Sequence, residues 1–186
     1  AFLLVPEGMD APDGLSADVC VLKKPIDRMY LAATSAMALI DAVDGLGSVR
    51  LSSAMEKGDI LFGGKYSEPD YELMVSEGCD LAVESTMIYH SPKVKEMIEL
   101  LGIPVLVDSS SRESHPLGRS EWMKLYGVLL DRQDEAEAAF EKQAAIVRDL
   151  EGFENTGKTV AFFFINSEGS VVVRASSDYV PKMIEL

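Results

Sequence analysis

Short apolar segments alternate with segments of helical periodicity through the first 115 residues, and this alternation limits the folds that the chain can adopt. Arg28–Ala33 has the composition of a buried strand, and a helical pattern follows it from Ser35 to Val43. Strands separated by helices at this spacing are typical of a parallel sheet with right-handed crossovers. The sequence therefore predicts an α/β fold.

An irregular or hairpin-like lead-in over residues 1–24 precedes these elements, and the same order of strand and helix returns twice further along the chain. The remaining predicted elements of this half are a helix over Tyr71–Ser76, a strand over Asp80–Val83, a helix over Lys93–Leu101 and a strand over Pro104–Val107. Two polar loops, Glu84–His90 and Asp108–His115, follow these strands. Ligands bind outside the carboxyl ends of the strands in such sheets. These loops, together with Thr34 and Ser35, form the predicted binding edge.

The segment from Leu117 to Leu150 contains no proline and predicts one helix of roughly 50 Å. Pro116 suits its first turn and Ser114 is a candidate cap. Gly118 and Gly127 each weaken a helix by about 1 kcal/mol relative to alanine, so a kink or a break stays open. The apolar residues that recur at helical spacing are Trp122, Leu125, Leu129, Ala136, Phe140, Val147 and Leu150.

A second α/β unit begins after a linker at residues 152–157. The pattern predicts a strand over Lys158–Ile165, a second strand over Val171–Arg174 and a helix from Tyr179. Two strands and one helical segment bury too little surface to be stable alone, so we expect the natural protein to continue. The predicted division is an amino-terminal α/β lobe at 1–115, a long linking helix at 116–151, and the beginning of a carboxyl-terminal α/β lobe at 157–186.

The charge of the chain excludes some classes of partner. Its 17 basic and 31 acidic residues give a net charge of -14, which phosphate groups of nucleic acid or of an anionic membrane would repel. A basic surface on a protein partner would suit it better. No apolar run reaches the roughly 18 residues of a membrane span. Cys20 and Cys79 lie far apart and predict neither a metal site nor a disulfide framework.

No sequence signature of an enzyme is present. The chain lacks the glycine-rich nucleotide loops, the nucleophile elbow, the zinc-protease helix and the EF-hand loop. Ser109–Ser111 near His115 could suggest a serine nucleophile with a base, but a polar loop before a helix cap explains these residues more simply. We therefore predict that the chain is not an enzyme and has no catalytic residues, metal ligands or intrinsic cofactor.

The order of these segments resembles the class III, or helical-backbone, solute-binding proteins of ABC importers for iron-siderophore, haem and cobalamin. In that family a strand that typically begins Pro-Asp-Leu-Val follows a helix holding a glutamate; here residues 79–82 read Cys-Asp-Leu-Ala. Each motif is weak alone, and the resemblance lies in their order. The matching segments are IDRMYLAATSAMALIDAVDGLG at 26–47, EPDYELMVSEGCDLAVES at 68–85, ELLGIPVLVD at 99–108 and SHPLGRSEWMKLYGVLLDRQDEAEAAFEK at 114–142.

The resemblance implies two α/β lobes joined by one long helix, with the ligand between the lobes and little hinge motion. It implies an extracytoplasmic, monomeric protein that delivers an iron-siderophore, haem or cobalamin-type ligand to an ABC importer permease. One exposed glutamate on each lobe docks onto permease arginines in this family, and Glu72 matches that of the amino-terminal lobe. A segment 117–150 folded back against one sheet would contradict this arrangement.

The candidate ligand-binding residues lie in the polar loops and near the second strand of the carboxyl-terminal segment. Tyrosines offer apolar faces to a bulky chelate, and arginines pair with its anionic oxygens. His90 is either an axial ligand to a metal in the cargo or a surface histidine. Two other functions stay open: a chelatase-like or nitrogenase-related metallocofactor protein, and a flavodoxin-like domain that dimerises through the long helix. The candidates are Tyr66, Thr86, Met87, Tyr89, His90, Arg112 and Arg174.

Overall fold

The computed structural model describes residues 1–54, 56–150, 154 and 157–185. Its strands are β1 Phe2–Val5, β2 Cys20–Lys23, β3 Met29–Leu31, β4 Val49–Ser52, β5 Leu61–Phe62, β6 Gly64–Lys65, β7 Glu68–Pro69, β8 Leu81–Ser85, β9 Val105–Asp108, β10 Phe163–Ile165 and β11 Val171–Val173. Its α-helices are α1 Thr34–Ala42, α2 Tyr71–Ser76, α3 Pro92–Leu100, α4 Pro116–Leu130, α5 Gln133–Leu150 and α6 Tyr179–Glu185.

A five-stranded parallel sheet forms the centre of the molecule, which confirms the predicted α/β fold. Its strand order is β5-β4-β3-β8-β9. The chain first builds the sheet from β3 to one side through β4 and β5, and then returns to the other side through β8 and β9. The order therefore reverses between β3 and β8, the position at which open parallel sheets bind ligands. The sequence prediction missed β4 and β5.

Each face of the sheet has its own hydrophobic core because alternate strand residues point to opposite faces. Met29 and Leu31 belong to the first core, with α1, α4 and α5 on that face. Tyr30 and Ala82 belong to the second core, which α2 and α3 cover through Met74 and Ile98. The sheet is thus buried on both faces, as parallel sheets generally are.

The predicted single helix over 116–151 is wrong, because the chain reverses at Asp131. Asp131 ends α4 in the left-handed conformation, with φ at 56°, and α5 begins at Gln133. The two helices run antiparallel, since Lys124 pairs with Glu137 at 3.2 Å and Gly127 lies against Ala136. This helical hairpin packs on the first core, against one face of the sheet. A single long helix therefore no longer supports the family resemblance.

One hydrogen bond fixes each end of α4. The Nδ1 atom of His115 accepts a hydrogen bond from the Leu117 amide at 3.1 Å, so His115 rather than Ser114 is the cap, while Pro116 occupies the first turn as predicted. At the other end, the ammonium of Lys24 donates to the carbonyl of Val128 at 2.7 Å. A cation at this place satisfies a free carbonyl and opposes the helix dipole.

The strands at the two ends of the chain form separate two-stranded sheets. β1 and β2 pair in parallel rather than as a hairpin. β10 and β11 pair antiparallel, and β10 starts at Phe163 rather than Lys158. The Asn166 side chain accepts from the Glu168 and Ser170 amides and so forms the turn between them. No helix among the described residues is both long enough and apolar enough to cross a membrane.

Candidate ligand-binding site

A buried aspartate organises the loop that follows β9. One oxygen of Asp108 accepts hydrogen bonds from the amide of Ser110 at 3.0 Å and from its hydroxyl at 2.6 Å. The other oxygen accepts from the hydroxyl of Tyr126 in α4 at 2.5 Å. Burial raises the pKa of Tyr126, and the charge of Asp108 and this hydrogen bond add to the effect. Asp108 therefore fixes the loop to both the sheet edge and α4.

Arg119, in the first half of α4, holds the outer part of the same loop. Its guanidinium donates to the carbonyl of Ser111 at 2.8 Å and to the carbonyl of Glu113 at 3.2 Å. The guanidinium carbon also lies 3.9 Å from the ring centroid of Tyr179 in α6, which is within the range of a cation–π contact. Arg119 thus brings the carboxyl-terminal segment against the loop after β9.

A cavity of about 340 Å³ lies between the loop after β9 and the carboxyl-terminal segment. It lies at the carboxyl edge of the sheet, beyond the edge strand β9 rather than at the reversal between β3 and β8. Its polar groups are hydroxyl and guanidinium donors together with two carboxylates, Glu113 and Asp178. Asp178 is paired with Arg174 and Glu113 accepts from Trp122, whereas the Arg112 guanidinium is the donor that could meet an anionic guest. The lining is Ser111, Arg112, Glu113, Ser114, Arg119, Ala175, Ser177, Asp178 and Tyr179.

Arg112 and Arg174, the two predicted cationic ligand residues, have different environments. Arg112 lines the cavity and is exposed, and its guanidinium has no hydrogen-bond or ion-pair partner among the residues that the structure describes. Arg174 lies just beyond β11 and pairs with Asp178 at 3.3 Å. It lines a neighbouring pocket with Phe162 and Ile184 rather than the cavity of Arg112. The structure therefore places one of the two arginines in the cavity.

The other predicted ligand residues do not line this cavity. Tyr66 lies between β6 and β7, half-buried against the second core. The 3-10 helix Thr86–His90 follows β8 at the same edge of the sheet, with Ile88 buried beneath it. On its surface Met87 is 47% exposed and Tyr89 is 58% exposed. His90 is also exposed and Thr86 is half-buried, so this helix borders the predicted edge without reaching Arg112.

Glu72, the predicted docking residue, lies in the first turn of α2 and is exposed. The Asp70 side chain caps this helix by accepting from the Leu73 amide at 2.9 Å. A carboxylate in the first turn also interacts favourably with the helix dipole. Glu72 therefore has a structural reason for its position as well as the exposure that docking needs.

Sequence reasoning missed the residues that build the cavity from the far side. Arg119 and Tyr179 lie about 60 positions apart, and neither belongs to a recognisable motif. The signal that could have found Arg119 is its position one turn after the polar loop, at the start of a helix. Among the described residues, no three His, Cys, Asp or Glu side chains are grouped as a metal site requires.

Comparison with solved structures decides the fold. No family model matches the chain. The periplasmic haem-binding protein HutB of Vibrio cholerae superimposes with a TM-score of 0.72 at 16% identity, covering 87% of this chain. The petrobactin-binding protein YclQ of Bacillus subtilis gives a TM-score of 0.65 at 13% identity, covering 81% of this chain. The chain has the fold of the class III periplasmic solute-binding proteins of ABC transporters.

The chain corresponds to only a part of these longer proteins. The chain covers 63% of the haem-binding protein and 55% of the petrobactin-binding protein. A curated relative, an uncharacterised lipoprotein of Methanocaldococcus jannaschii, is 24% identical over 94% of this chain and 46% of its own length. The sequence resemblance therefore predicted the fold correctly, although one of its expected elements, the single long helix, is absent from the described chain.

Proposed function

We propose that the chain is part of an extracytoplasmic solute-binding protein that delivers an iron-siderophore or haem-type ligand to an ABC importer permease. Cobalamin is a third candidate ligand. The observation that carries the proposal is the cavity at the carboxyl edge of the sheet, with Arg112 exposed in its wall. Periplasmic and lipoprotein relatives support a location outside the cytoplasm, in a periplasm or at the cell surface through a lipid.

The chemistry of the cavity supports an anionic guest. Ferric siderophores and haem carry carboxylates or other anionic oxygens, and a guanidinium recognises these groups through charge-assisted hydrogen bonds. Arg119 is committed to the carbonyls of Ser111 and Glu113, so it shapes the wall, whereas Arg112 is available to the guest. Tyr179 offers an aromatic surface beside it. Arg174 contributes to the same site by holding Asp178 of the wall.

Replacing Arg112 with alanine is expected to weaken ligand binding at least tenfold, because hydrogen bonds to charged groups contribute about 1.5–3 kcal/mol. Trp122 is the only tryptophan, and its indole donates to Glu113 of the loop at 3.1 Å, so its fluorescence reports on this loop. The protein is titrated in turn with haemin, a ferric catecholate, a ferric hydroxamate and cobalamin.

Arg148→Ala is the matched control, since Arg148 is exposed on α5, pairs with Glu141 and does not line the cavity. It should bind each probe as the wild type does. The absence of a response to every probe would contradict the proposed function. Equal losses in the Arg112 and Arg148 variants would contradict the assignment of the cavity.

Glu72→Arg is expected to weaken permease binding and transport severalfold while leaving ligand affinity unchanged. The reason is electrostatic: an acidic protein is guided to a basic partner surface, and reversing a contact charge opposes this attraction. Ligand uptake by cells or proteoliposomes measures it. Glu96→Arg, a charge reversal at an exposed site on α3, is the control. Normal uptake by the Glu72 variant would remove this docking residue from the proposal.

A further inference from the structure

A second buried polar cluster lies on the opposite face of the sheet from Asp108. Glu84 is 0% exposed, and neither of its carboxyl oxygens has a hydrogen-bond partner among the described residues. The hydroxyl of Tyr30 is buried and equally without a partner there. Tyr30 pairs in register with Ala82, two positions before Glu84 on β8, so both side chains point to the same face. Buried polar groups without partners are rare and costly.

Residues 63–73, which include β6, β7 and the start of α2, cover Tyr30, and Tyr71 within them interacts electrostatically with Glu84. The backbone of this segment lies directly on Tyr30, since a Cβ atom added at Gly63 would be 3.1 Å from two carbons of that ring. Tyr66 and Tyr71 of the same segment pack against the second core. The amide of Gly63 donates to the carbonyl of Ser52 at 2.9 Å and joins the segment to the sheet. We call residues 63–73 the covering segment.

The surroundings of Glu84 favour its protonated form. Burial raises the pKa of Glu84 to about 8. The titratable groups that interact with it are Tyr30 and Tyr71, whose own pKa values are raised by burial first and then by Glu84. No cation among the described residues is paired with it, and Val107, its neighbour on β9, is apolar. The charged side chains of the covering segment, and His90 beyond the end of β8, are all exposed: Lys65, Glu68, Asp70, Glu72 and His90.

We propose that Glu84 is a proton-controlled latch: the protonated side chain keeps the covering segment closed over the sheet, and loss of its proton to solvent opens that segment. The physical reason is that a carboxylate without a partner needs water, and the covering segment carries Tyr71, which interacts with Glu84, and lies on Tyr30 beside it. The covering segment also carries Tyr66 and Glu72. Opening would therefore expose or displace Tyr66 and Glu72, whether or not the proposed cargo is correct.

Hydrogen exchange of the full chain between pH 5 and pH 8, corrected for intrinsic rates, tests the latch. In the open form Glu84 has the ordinary pKa of a glutamate, whereas in the closed form its pKa is about 8. The equilibrium constant for opening should therefore increase about tenfold per pH unit over this range. Wild-type protection in residues 63–73 should thus fall at least 100-fold, and Glu84→Gln should abolish the pH dependence. Amides of β3 and β8 report global unfolding and should stay at least tenfold better protected.

Glu96→Gln, at an exposed site, should behave as the wild type does. Glu84→Met, which is also unable to ionise, replaces the glutamine variant should that one fail to fold. A pH dependence that persists in both Glu84 variants would overturn the proposal. So would equal protection of the covering segment and the core strands, since ionisation would then unfold the whole protein rather than open one segment.

Discussion

Glu84→Gln is expected to stabilise the protein against unfolding at neutral pH, by an amount that grows with pH to several kcal/mol. The pKa of Glu84 is about 8 in the folded state and 4.5 is its ordinary value, so between these the folded state binds one proton more than the unfolded state. The contribution of Glu84 to stability is therefore greatest below about pH 4.5 and declines by about 1.4 kcal/mol per pH unit up to about pH 8. Because glutamine does not ionise, the variant lacks this decline.

Urea unfolding of both proteins from pH 4 to pH 9 measures the effect. The two curves should nearly coincide at pH 4, because a protonated glutamate and a glutamine are similar in shape and polarity. They should separate steadily and differ by on the order of 3–5 kcal/mol at pH 8. Glu96→Gln provides the matched loss of an exposed carboxylate and should follow the wild type within about 0.5 kcal/mol. Parallel curves for the wild type and the Glu84 variant would show that Glu84 is ionised when folded.

Gly127→Ala is expected to destabilise the protein by about 2 kcal/mol, the opposite of what the same change does in an isolated helix. The added methyl carbon would be 2.6 Å from the Cβ of Ala136 and 2.9 Å from the carbonyl oxygen of Arg132. Overpacking of this kind typically costs about 1–3 kcal/mol, which exceeds the helix propensity that alanine gains. The midpoint of urea unfolding at constant slope measures the change.

Gly118→Ala in the same helix is the control for Gly127→Ala. Its new methyl carbon would meet the end of the Glu113 side chain at 3.1 Å, and a flexible side chain can move away. It should leave stability unchanged or raise it by up to about 1 kcal/mol. If alanine stabilised the protein at both glycines, α4 and α5 would not be in the close contact that the hairpin requires.

The sequence predicted the elements whose apolar runs are long or regular. β3, β8 and β9 and the helices between them follow from the alternation of strand and helix patterns, and their carboxyl ends lie at one edge of the sheet as predicted. β4 was missed because Val49–Ser52 carries only two apolar residues and follows a glycine-rich turn. The reversal at Asp131 was missed because aspartate adopts the left-handed conformation without the glycine or proline that usually announces a helix end.

The site was less predictable because its residues meet only through tertiary contacts. Arg112 was predicted from a polar loop, but its companions Arg119 and Tyr179 come from a helix face and from a distant segment. Glu84 was assigned to a loop, whereas it belongs to β8, and the tyrosines that interact with it, Tyr30 and Tyr71, come from other elements. Periodicity shows which residues share a face, and it does not show what packs on that face.

The reversal between α4 and α5 also changes how the carboxyl-terminal segment is held. A straight rod of this length would carry its far end roughly 50 Å from Pro116. Antiparallel helices of 15 and 18 residues instead return Leu150 to nearly the height at which α4 starts. The carboxyl-terminal segment is held instead at the start of α4, where the Arg119 guanidinium stacks on the Tyr179 ring. Both residues line the cavity, so a change in this single contact would alter the cavity wall itself.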